Sequence, residues 1–293
     1  MTVVPSSNTA KASESPSSSV AEGAGSVYEW PITIRGERAK GHDGEGLVAR
    51  VREMGQGQPV VFLHGLVGLN DHWEGAAKLI QHKSRCVMLE MPLLRLSGPQ
   101  CSIESVSEMI AEFLAERIGT PAVLVGNSFG GHVAMRMALS SDASRIKGLV
   151  LTGASGLYER SILANVEIRP SRNWLAKRIG ELFYDQKNVW PSDIDRAYAE
   201  LSRRGGARAM VKLSRSARSD HLGDRLVKIK TPTLLIWGKQ DVVTPPETAR
   251  EFHEKIGGSK LVWLDRCGHA PMMEYPEAFA EHMGVFLDGL AAG

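Results

Sequence analysis

Short apolar runs with the length of buried strands recur along the chain, and segments with helical spacing of apolar residues separate them. Strands are predicted at residues 27–34, 47–51, 59–63, 86–89, 122–125, 149–151, 232–237 and 261–264. Helices are predicted at residues 73–82, 103–118, 131–139 and about 276–290. Strands that alternate with helices build βαβ units, and such units give a mostly parallel sheet with helices on both faces. The pattern therefore predicts an α/β fold.

The alternation stops after Gly156, because residues 157–224 predict several helices and no strand. A helical insert between two strands can project only from a loop end of the sheet, which is the edge where open α/β folds bind ligands. We therefore expect a core made of residues 26–156 and 225–293, with residues 157–224 as a helical cap.

The beginning of the chain differs in composition from the rest. It is rich in Ser, Ala and Gly, contains no aromatic residue and shows no apolar periodicity, so we expect a disordered tail at residues 1–25. The tail lacks the continuous apolar stretch of a secretory signal. It also lacks the arginines of a transit peptide and carries Glu14 and Glu22. These features predict a cytoplasmic protein.

Composition and charge argue against several other classes of protein. The 35 Lys and Arg residues nearly balance the 33 Asp and Glu residues, so the net charge of +2 offers no basic footprint for nucleic acid. No run approaches the roughly 18 consecutive apolar residues that span a bilayer, so no membrane span is expected. Cys86, Cys101 and Cys267 are scattered and form no CxxC pair, which suits a reducing compartment and argues against a cysteine metal site.

The strongest local signal is a serine between a predicted strand and a predicted helix. Residues 126–130 read Gly-Asn-Ser-Phe-Gly, and Gly131 follows them. In a G-x-S-x-G elbow the turn from strand to helix is so tight that its flanking positions accept only small residues, and the serine hydroxyl is lifted above the sheet. A glycine-rich turn without function can have the same sequence, but the placement between strand and helix favours Ser128 as a nucleophile.

A serine nucleophile needs an adjacent base that a third group orients. Of the nine histidines, His269 lies on a loop just after the last predicted strand. Asp241 follows the strand at 232–237 and is the candidate orienting carboxylate, although an Asp in such a loop is about as often a turn or capping residue. All three candidates follow predicted strands, so a parallel sheet would bring them to one edge.

Backbone N–H groups near the serine could stabilise the negative charge that develops on a reacting carbonyl oxygen. One donor would be the N–H of Phe129, directly after the candidate nucleophile. The other would be the N–H of Leu66, because Gly65 and Gly68 allow a sharp turn at that point of the chain. His64, beside this turn, is expected to be a structural hydrogen-bonding residue rather than a base.

Together these residues make the chain resemble the α/β-hydrolase fold enzymes that carry a helical cap, over almost all of residues 27–290. The motifs that carry the resemblance are Leu63-His-Gly-Leu66, Gly126-Asn-Ser-Phe-Gly-Gly131, Pro232-Thr-Leu-Leu-Ile-Trp-Gly238 and Cys267-Gly-His-Ala-Pro-Met-Met-Glu274. The chain order Ser128, Asp241, His269 is also the order of the triad in that superfamily. The resemblance implies a serine hydrolase whose catalytic triad is these three residues.

Subgroups of this superfamily differ at key positions. Haloalkane dehalogenases and epoxide hydrolases carry an Asp at the elbow, where this chain has Ser128. The C–C hydrolases of meta-cleavage products share the Gly-Asn-Ser-x-Gly-Gly elbow and the cap. They usually have a Gly-Pro-Gly loop after the His-Gly pair and a Trp after the catalytic His, whereas this chain has Leu66-Val-Gly-Leu69 and Ala270. These differences favour a carboxylic ester hydrolase.

We therefore expect Ser128 to form an acyl-enzyme with a small or medium acyl group, without a metal or an organic cofactor. C–C bond hydrolysis of a dienoate ketone by the same triad is the alternative, so the expected partner is a small-molecule ester or ketone. A ligand-binding protein without catalysis is a third hypothesis, which the intact Ser, Asp and His set disfavours. The acyl and alcohol groups, the role of the tail and the oligomeric state stay open.

Overall fold

A computed structural model describes residues 25–159 and 170–292 of the chain. The predicted disordered tail at residues 1–25 lies outside these ranges apart from Gly25, and so does the part of the predicted cap at residues 160–169. Within the described ranges, none of the helices combines the length and the apolar composition that a membrane-crossing helix needs.

A central eight-stranded sheet contains all but two of the strands in the described residues. The strands are β1 (Ser26–Pro31), β2 (Thr33–Ile34), β3 (Glu37–Arg38), β4 (Val48–Met54), β5 (Gln58–Leu63), β6 (Ser84–Glu90), β7 (Ala122–Asn127), β8 (Ile146–Thr152), β9 (Thr233–Gly238) and β10 (Lys260–Leu264). The order in the sheet is β1-β4-β6-β5-β7-β8-β9-β10, and β2 pairs with β3 in a separate ribbon. Each pair of neighbours in the row β6-β5-β7-β8-β9-β10 is parallel, whereas β4 is antiparallel to both of its neighbours, β1 and β6. The predicted mostly parallel sheet is confirmed.

Helices cover both faces of this sheet. They are α1 (Asp71–Ile80), α2 (Ile103–Phe113), α3 (Phe129–Ala138), α4 (Arg172–Gly180), α5 (Pro191–Ser202), α6 (Gly206–Ser219), α7 (Pro246–Lys255), α8 (Pro271–Glu274) and α9 (Pro276–Ala291). Buried side chains of α2, α3 and α7 pack on one face together with Val61 of β5. Those of α1 and α9 pack on the other face with Phe62, since successive strand residues point to opposite sides. The three layers confirm the predicted α/β fold.

Three helices, α4, α5 and α6, lie between β8 and β9, in the segment where the sequence predicts a helical cap. The described residues of this segment contain no strand. We call α4, α5 and α6 the inserted helices. They share a small core made of Leu175, Ala197, Leu201 and Met210. Leu94, from outside the segment, also belongs to this core.

Charged side chains connect the inserted helices to the core beside α1. Arg196 on α5 places Nη1 2.6 Å from Asp71 Oδ2 and Nη2 2.6 Å from Asp193 Oδ1. On α1, His72 Nε2 lies 3.3 Å from the same Asp193 oxygen. Because Asp71 and His72 belong to the core and the other two residues to α5, these contacts hold the N-terminal end of α1 against the inserted helices.

The two chain connections to the inserted segment are joined at their base. The N–H of Leu222 donates to the carbonyl of Gly156 at 2.7 Å. Beside this contact, Asp220 accepts from Arg136 Nη1 at 2.6 Å and from Arg225 Nη2 at 2.7 Å, and His132 Nε2 lies 3.2 Å away. Two of these partners, His132 and Arg136, lie on α3. The carboxylate therefore fastens the end of α6 to the helix that follows Ser128.

Electrostatics favour the ionised form of Asp220. Burial alone would raise the pKa of its carboxyl group, but the hydrogen bonds of His132, Arg136 and Arg225 outweigh that effect and hold the pKa well below its ordinary value. A folded-state pKa below the unfolded value stabilises the fold above the unfolded pKa, and this stabilisation is lost as the pH falls.

We expect Asp220→Asn to lower the free energy of unfolding at pH 7 by about 2–3 kcal/mol, because the amide leaves two arginines without a charged partner. Below about pH 4, where the unfolded carboxyl group takes up a proton, the difference from the natural chain should shrink. Urea unfolding at several pH values measures both effects. The control is Asp224→Asn, whose side chain is fully exposed, and an equal loss in the two variants would contradict the role of Asp220.

Candidate active site

The strand β7 turns directly into α3 at Ser128, as the G-x-S-x-G motif predicts. Ser128 has φ of 52° and ψ of −120°, which is an unfavourable backbone conformation for any residue with a side chain. The turn leaves no space at its glycines: a Cβ atom on Gly126 would lie 2.6 Å from the carbonyl oxygen of Gly130 and from the Cα of Gly131. The small residues of the motif are therefore a steric requirement of this turn.

Hydrogen bonds hold the elbow in this strained conformation. The N–H of Ser128 donates to the carbonyl of Thr152 at 3.2 Å, and its own carbonyl accepts from the N–H of Ser155 at 3.1 Å. The buried Asn127 side chain donates from Nδ2 to the carbonyls of Thr152 at 3.1 Å and His269 at 3.0 Å. Asn127 thus joins the elbow to the loop of the candidate base, a role that the sequence analysis missed.

Asp241 and His269 meet at the same edge of the sheet. The Nδ1 atom of His269 lies 2.9 Å from Oδ2 of Asp241, and both side chains are buried. Oδ1 of Asp241 accepts from the N–H groups of Val243 at 2.8 Å and Thr244 at 3.0 Å, and the Thr244 hydroxyl donates to Oδ2 at 2.8 Å. Since a carboxylate only accepts, Nδ1 carries the proton and Nε2 is left with a lone pair.

Ser128 and His269 line one cavity of about 190 Å³. The Ser128 hydroxyl makes no hydrogen bond with a described residue, His269 included. Such bonds are often long before substrate binds and shorten in the complex. The structure therefore joins Asp241 to His269 directly, whereas Ser128 and His269 share only the wall of one cavity.

The two candidate N–H donors belong to segments next to Ser128. Leu66 lines the cavity in a turn that the N–H of Gly68 closes on the carbonyl of Gly65 at 3.0 Å. This turn lies against the elbow, because a Cβ atom on Gly65 would be 3.2 Å from the Cβ of Ser128. Phe129 is the first residue of α3, so its N–H has no acceptor within the helix and lies at the positive end of the helix dipole.

His64 supports this turn through hydrogen bonds. Its Nε2 accepts from the N–H of Met91 at 2.9 Å, so Nδ1 carries the proton and donates to the carbonyl of Gly65 at 2.6 Å. Burial lowers the pKa of the imidazole, which favours the neutral form that this pair of bonds requires. His64 has the structural role that the sequence analysis expects.

The wall of the cavity is mostly apolar, with some polar groups. Its apolar residues come from the core and from the inserted segment, and they include Leu66, Leu182, Phe183, Met210, Met272 and Met273. The polar residues include His72, Arg178 and Asp193.

Two charged residues of the wall have charged partners. Burial would raise the pKa of Asp193, but the neighbouring His72 and Arg196 outweigh this effect and lower that pKa. Arg178 Nη1 donates to both carboxylate oxygens of Glu181 at 3.0 Å.

The loop of His269 also contacts the inserted segment. The N–H of His269 donates to the carbonyl of Leu182 at 2.7 Å. Glu274 accepts from the N–H of Gly268 at 2.6 Å through Oε1 and from the N–H of Tyr184 at 2.9 Å through Oε2. Burial raises the pKa of Glu274 above its ordinary value, against the effect of these N–H donors. The candidate base is therefore held by the core and by the inserted segment together.

Thr244 and Glu274 are further residues of the site that the sequence analysis missed. An Asp followed three positions later by a Thr is a pattern of a side chain that bonds nearby backbone, and it could have drawn attention to Thr244. Glu274 ends the motif at 267–274, but its contact with Tyr184 could not be predicted, because Tyr184 is 90 positions away in the chain. The described residues contain no group of three or more His, Cys, Asp or Glu side chains placed to hold a metal ion.

Comparison with known proteins finds hydrolases. The family model described as "Alpha/beta hydrolase family" matches residues 60–282. A pimeloyl-[acyl-carrier protein] methyl ester esterase from Neisseria meningitidis is 30% identical over 195 residues, which cover 62% of each chain, so the match spans less than two thirds of that relative. A 2-hydroxy-6-oxo-6-(2'-aminophenyl)hexa-2,4-dienoic acid hydrolase from Metapseudomonas resinovorans is 26% identical over 259 residues, which cover 83% of this chain and 88% of that one.

A solved structure shows the same architecture. MGS-MChE2, an alpha/beta hydrolase enzyme from the metagenome of sediments from the lagoon of Mar Chica, Morocco, is 29% identical to this chain. The two structures agree with a TM-score of 0.67 over 84% of this chain and 96% of that one.

The steric requirement at the elbow can be tested by adding one methyl group. We expect Gly126→Ala to lower the free energy of unfolding by about 1–3 kcal/mol or more, because the new Cβ meets the backbone of α3. Gly257→Ala is the matched control, since nothing lies within 4 Å of its Cβ position, and its effect should stay below about 0.5 kcal/mol. Urea unfolding measures the free energy of unfolding of both variants. Equal values would show that the elbow can accommodate a Cβ atom at position 126.

Proposed function

Because the chain belongs to the alpha/beta hydrolase family, we propose that it hydrolyses carboxylic esters through an acyl-enzyme on Ser128. Its relatives are named as esterases and hydrolases, and the chain is an alpha/beta hydrolase enzyme. The observation that carries the proposal is the 2.9 Å contact between His269 and Asp241, together with the cavity that His269 shares with Ser128. An imidazole with its Nε2 lone pair free, beside a serine at a helix N-terminus, suits acyl transfer.

In the first half of the reaction, the Ser128 hydroxyl oxygen attacks the ester carbonyl and His269 Nε2 takes up its proton. Asp241 keeps the imidazole in the required tautomer and stabilises the imidazolium that forms. The N–H groups of Leu66 and Phe129 donate to the carbonyl oxygen as it becomes negatively charged. The imidazolium then gives its proton to the alkoxide that leaves, and the acyl group stays on Ser128.

In the second half, a water molecule replaces the alcohol. His269 takes a proton from this water, which attacks the acyl carbonyl, and the same N–H groups stabilise the second tetrahedral intermediate. Collapse of that intermediate returns the proton to the Ser128 oxygen and releases the carboxylic acid. Apart from the substrate and this water, the groups that act are side chains and N–H groups of this chain.

The size and polarity of the cavity support a small or medium acyl group. Its volume of about 190 Å³ and its apolar wall of leucine, methionine and phenylalanine side chains suit a short hydrocarbon chain. By their names, one relative acts on the methyl ester of a protein-bound acyl chain and another on a dienoic acid. The first of these reactions is an ester hydrolysis of the proposed kind.

C–C bond hydrolysis of a dienoate ketone by the same triad is the second candidate. It is favoured by the dienoic acid hydrolase among the relatives and by Arg178, a cation from the inserted helices on the cavity wall. The guanidinium of Arg178 is already bound to Glu181 at 3.0 Å and lies 5.6 Å from the centre of the Trp174 ring. Glu181 already neutralises part of the charge of Arg178, which weakens the attraction of that guanidinium for a substrate carboxylate. Arg218 also lines the cavity, so the C–C reaction stays a candidate behind the ester reaction.

We also propose a reducing compartment, the cytoplasm, as the location of the protein. Cys86, Cys101 and Cys267 are free and buried. Burial raises the pKa of the Cys86 thiol to about 12 and holds that of Cys267 well above its ordinary value. Thiols that rarely ionise exchange slowly with disulfides, and free thiols in this number suit a reducing environment.

The nucleophile can be tested by substitution. We expect Ser128→Ala to lower the turnover of p-nitrophenyl butyrate by at least about 10³-fold with little change in Tm, because the attacking oxygen is gone. A fluorophosphonate probe should label the natural chain on Ser128 and leave the variant unlabelled. Ser202→Ala, at an exposed position of α5, is the control and should keep its activity. A meta-cleavage dienoate assayed in parallel decides between ester and C–C cleavage, and full activity of Ser128→Ala would refute both.

The orienting carboxylate has its own test. We expect Asp241→Asn to lower kcat by about 10⁴-fold while the protein still folds, because an amide no longer selects the tautomer with the proton on Nδ1. The control is Asp265→Asn, which removes an exposed carboxylate from the end of β10 and should change kcat less than about twofold. Stopped-flow or steady-state assays with p-nitrophenyl butyrate measure both variants. Comparable kcat values for Asp241→Asn and the natural chain would exclude Asp241 as the third member.

A further inference from the structure

A second pair of a histidine and an aspartate lies on the wall of the catalytic cavity. His72 on α1 and Asp193 on α5 both line this cavity, and His72 Nε2 lies 3.3 Å from Asp193 Oδ1. Asp193 is more than nine-tenths buried, with 7% of its surface exposed. The reaction proposed above uses neither residue, so a polar pair in this mostly apolar wall needs an explanation of its own.

One atom of each residue in this pair makes no hydrogen bond with a described residue. Arg196 donates to Oδ1 of Asp193 at 2.6 Å, whereas Oδ2 is buried and accepts from no described donor. His72 Nε2 is also buried, and its 3.3 Å contact with Asp193 lacks the geometry of a hydrogen bond. Because buried polar atoms are nearly always hydrogen-bonded, two adjoining exceptions on a cavity wall indicate a place for a polar group of a ligand.

Attachment of the inserted helices does not require this arrangement. Arg196 already joins α5 to α1 through Asp71, whose Oδ2 lies 2.6 Å from Nη1. A contact that served only to hold the helices could use both oxygens of Asp193, as bidentate pairs of arginine and carboxylate do. The second oxygen of Asp193 is instead left without a donor on the side of the molecule that lines the cavity.

The charges around the pair disfavour an anionic ligand group. Asp71 and Asp193 share the positive charge of Arg196, and no other Lys or Arg nitrogen of the described ranges lies within 4.0 Å of either carboxylate. Burial would raise the pKa of Asp193, but the neighbouring His72 and Arg196 lower it, so the ionised form is favoured. A carboxylate on a substrate would therefore meet a like charge at this point of the wall.

The two atoms have opposite hydrogen-bonding roles. A carboxylate only accepts, so Asp193 Oδ2 needs a donor. His72 Nε2 faces that carboxylate and therefore carries a proton, so it needs an acceptor. A hydroxyl group donates and accepts through one oxygen atom, whereas an ammonium group only donates and a carboxylate only accepts. A hydroxyl group is therefore the group that satisfies both atoms.

We infer that His72 and Asp193 bind a hydroxyl group on the acyl chain of the substrate, so that the preferred substrates are esters of hydroxy acids. The hydroxyl group donates to Asp193 Oδ2 and accepts from His72 Nε2. Its place on the acyl chain rests on the proposed function, which puts the acyl group in this cavity. His72 and Asp193 determine specificity in this scheme and take no part in the making or breaking of bonds.

Specificity for a hydroxyl group is measured with matched methyl esters. The substrates are methyl hexanoate, its 3-hydroxy and 6-hydroxy derivatives, and methyl 6-aminohexanoate. By pH-stat assay, we expect kcat/KM for the better hydroxy ester to exceed that for methyl hexanoate at least about tenfold, because only the hydroxyl group bonds to both buried atoms. Equal values for methyl hexanoate and both hydroxy esters would overturn the inference, and so would a higher value for the amino ester than for either hydroxy ester.

His72→Phe separates hydroxyl binding from packing. The phenyl ring can keep the edge contact with Trp190, whose ring centre lies 6.1 Å from that of His72. We expect the ratio of kcat/KM for the better hydroxy ester to that for methyl hexanoate to approach one in this variant. His82→Phe, at an exposed position just after α1, is the control and should keep the natural ratio. A purely structural role of His72 would slow both esters alike, and an unchanged ratio in His72→Phe would contradict the hydroxyl site.

Asp193→Asn tests the charge of the pair by a gain of activity. Monomethyl adipate is a methyl ester of similar length that ends in a carboxylate. We expect its kcat/KM, relative to that of methyl hexanoate, to rise at least about threefold in Asp193→Asn, because the repelling charge is gone. General damage to the fold would lower both values and would not raise this ratio. Asp195→Asn, which removes an exposed carboxylate from the same helix, should keep the natural ratio, and an unchanged ratio in Asp193→Asn would show that Asp193 does not act on the substrate.

Binding without hydrolysis separates the hydroxyl site from the proposed function. By calorimetry, Ser128→Ala should bind the better hydroxy ester at least about tenfold more tightly than methyl hexanoate. If this preference is found while the natural chain hydrolyses no ester, the proposed function is refuted and the hydroxyl site stands. If the natural chain hydrolyses p-nitrophenyl butyrate but neither its kinetics nor the binding to Ser128→Ala favours a hydroxy ester, the hydroxyl site is refuted and the proposed function stands.

Discussion

The close approach of β7 to the first turn of α3 is the constraint on which the candidate site depends. Gly126 and Gly131 pack so closely that the chain must turn at Ser128 with a positive φ. A residue in this conformation costs of order 1–3 kcal/mol, and bonds from its backbone to Thr152 and Ser155 help to hold it. The backbone thus sets the direction in which the side chain of Ser128 leaves the chain.

The candidate base depends on two separate parts of the molecule. Asp241 holds the imidazole of His269 from the core, while the carbonyl of Leu182 and the Glu274 carboxylate tie its loop to the inserted segment. Asp220 fastens the other end of that segment to α3, which begins directly after Ser128. A movement of the inserted helices would therefore act on the loop of His269 and on α3, the helix that follows Ser128.

Predictions that depend on local sequence patterns were accurate, whereas features that depend on very short strands or on contacts between distant residues were missed. The strands at 59–63 and 122–125 were predictable because a buried parallel strand is a continuous apolar run. Residues 33 and 34 of β2 were predicted as part of the strand at 27–34, but the separate ribbon with β3 was missed, since two-residue strands are too short for any periodicity. The helix α7 was missed as well, because it begins at Pro246 after another proline and has few apolar residues. Contacts such as Glu274 with Tyr184 join residues far apart and leave no local pattern.

The sequence by itself determined the α/β architecture, the order of the three candidate catalytic residues and the need for small residues around Ser128. These follow from periodicity, from strand ends and from the space at one turn, which are local properties of a chain. Only the tertiary structure decided that Asp241 reaches His269 and that Asn127 and Glu274 support its loop. Those facts depend on side chains that folding brings together from distant positions, and no local sequence pattern encodes such distances.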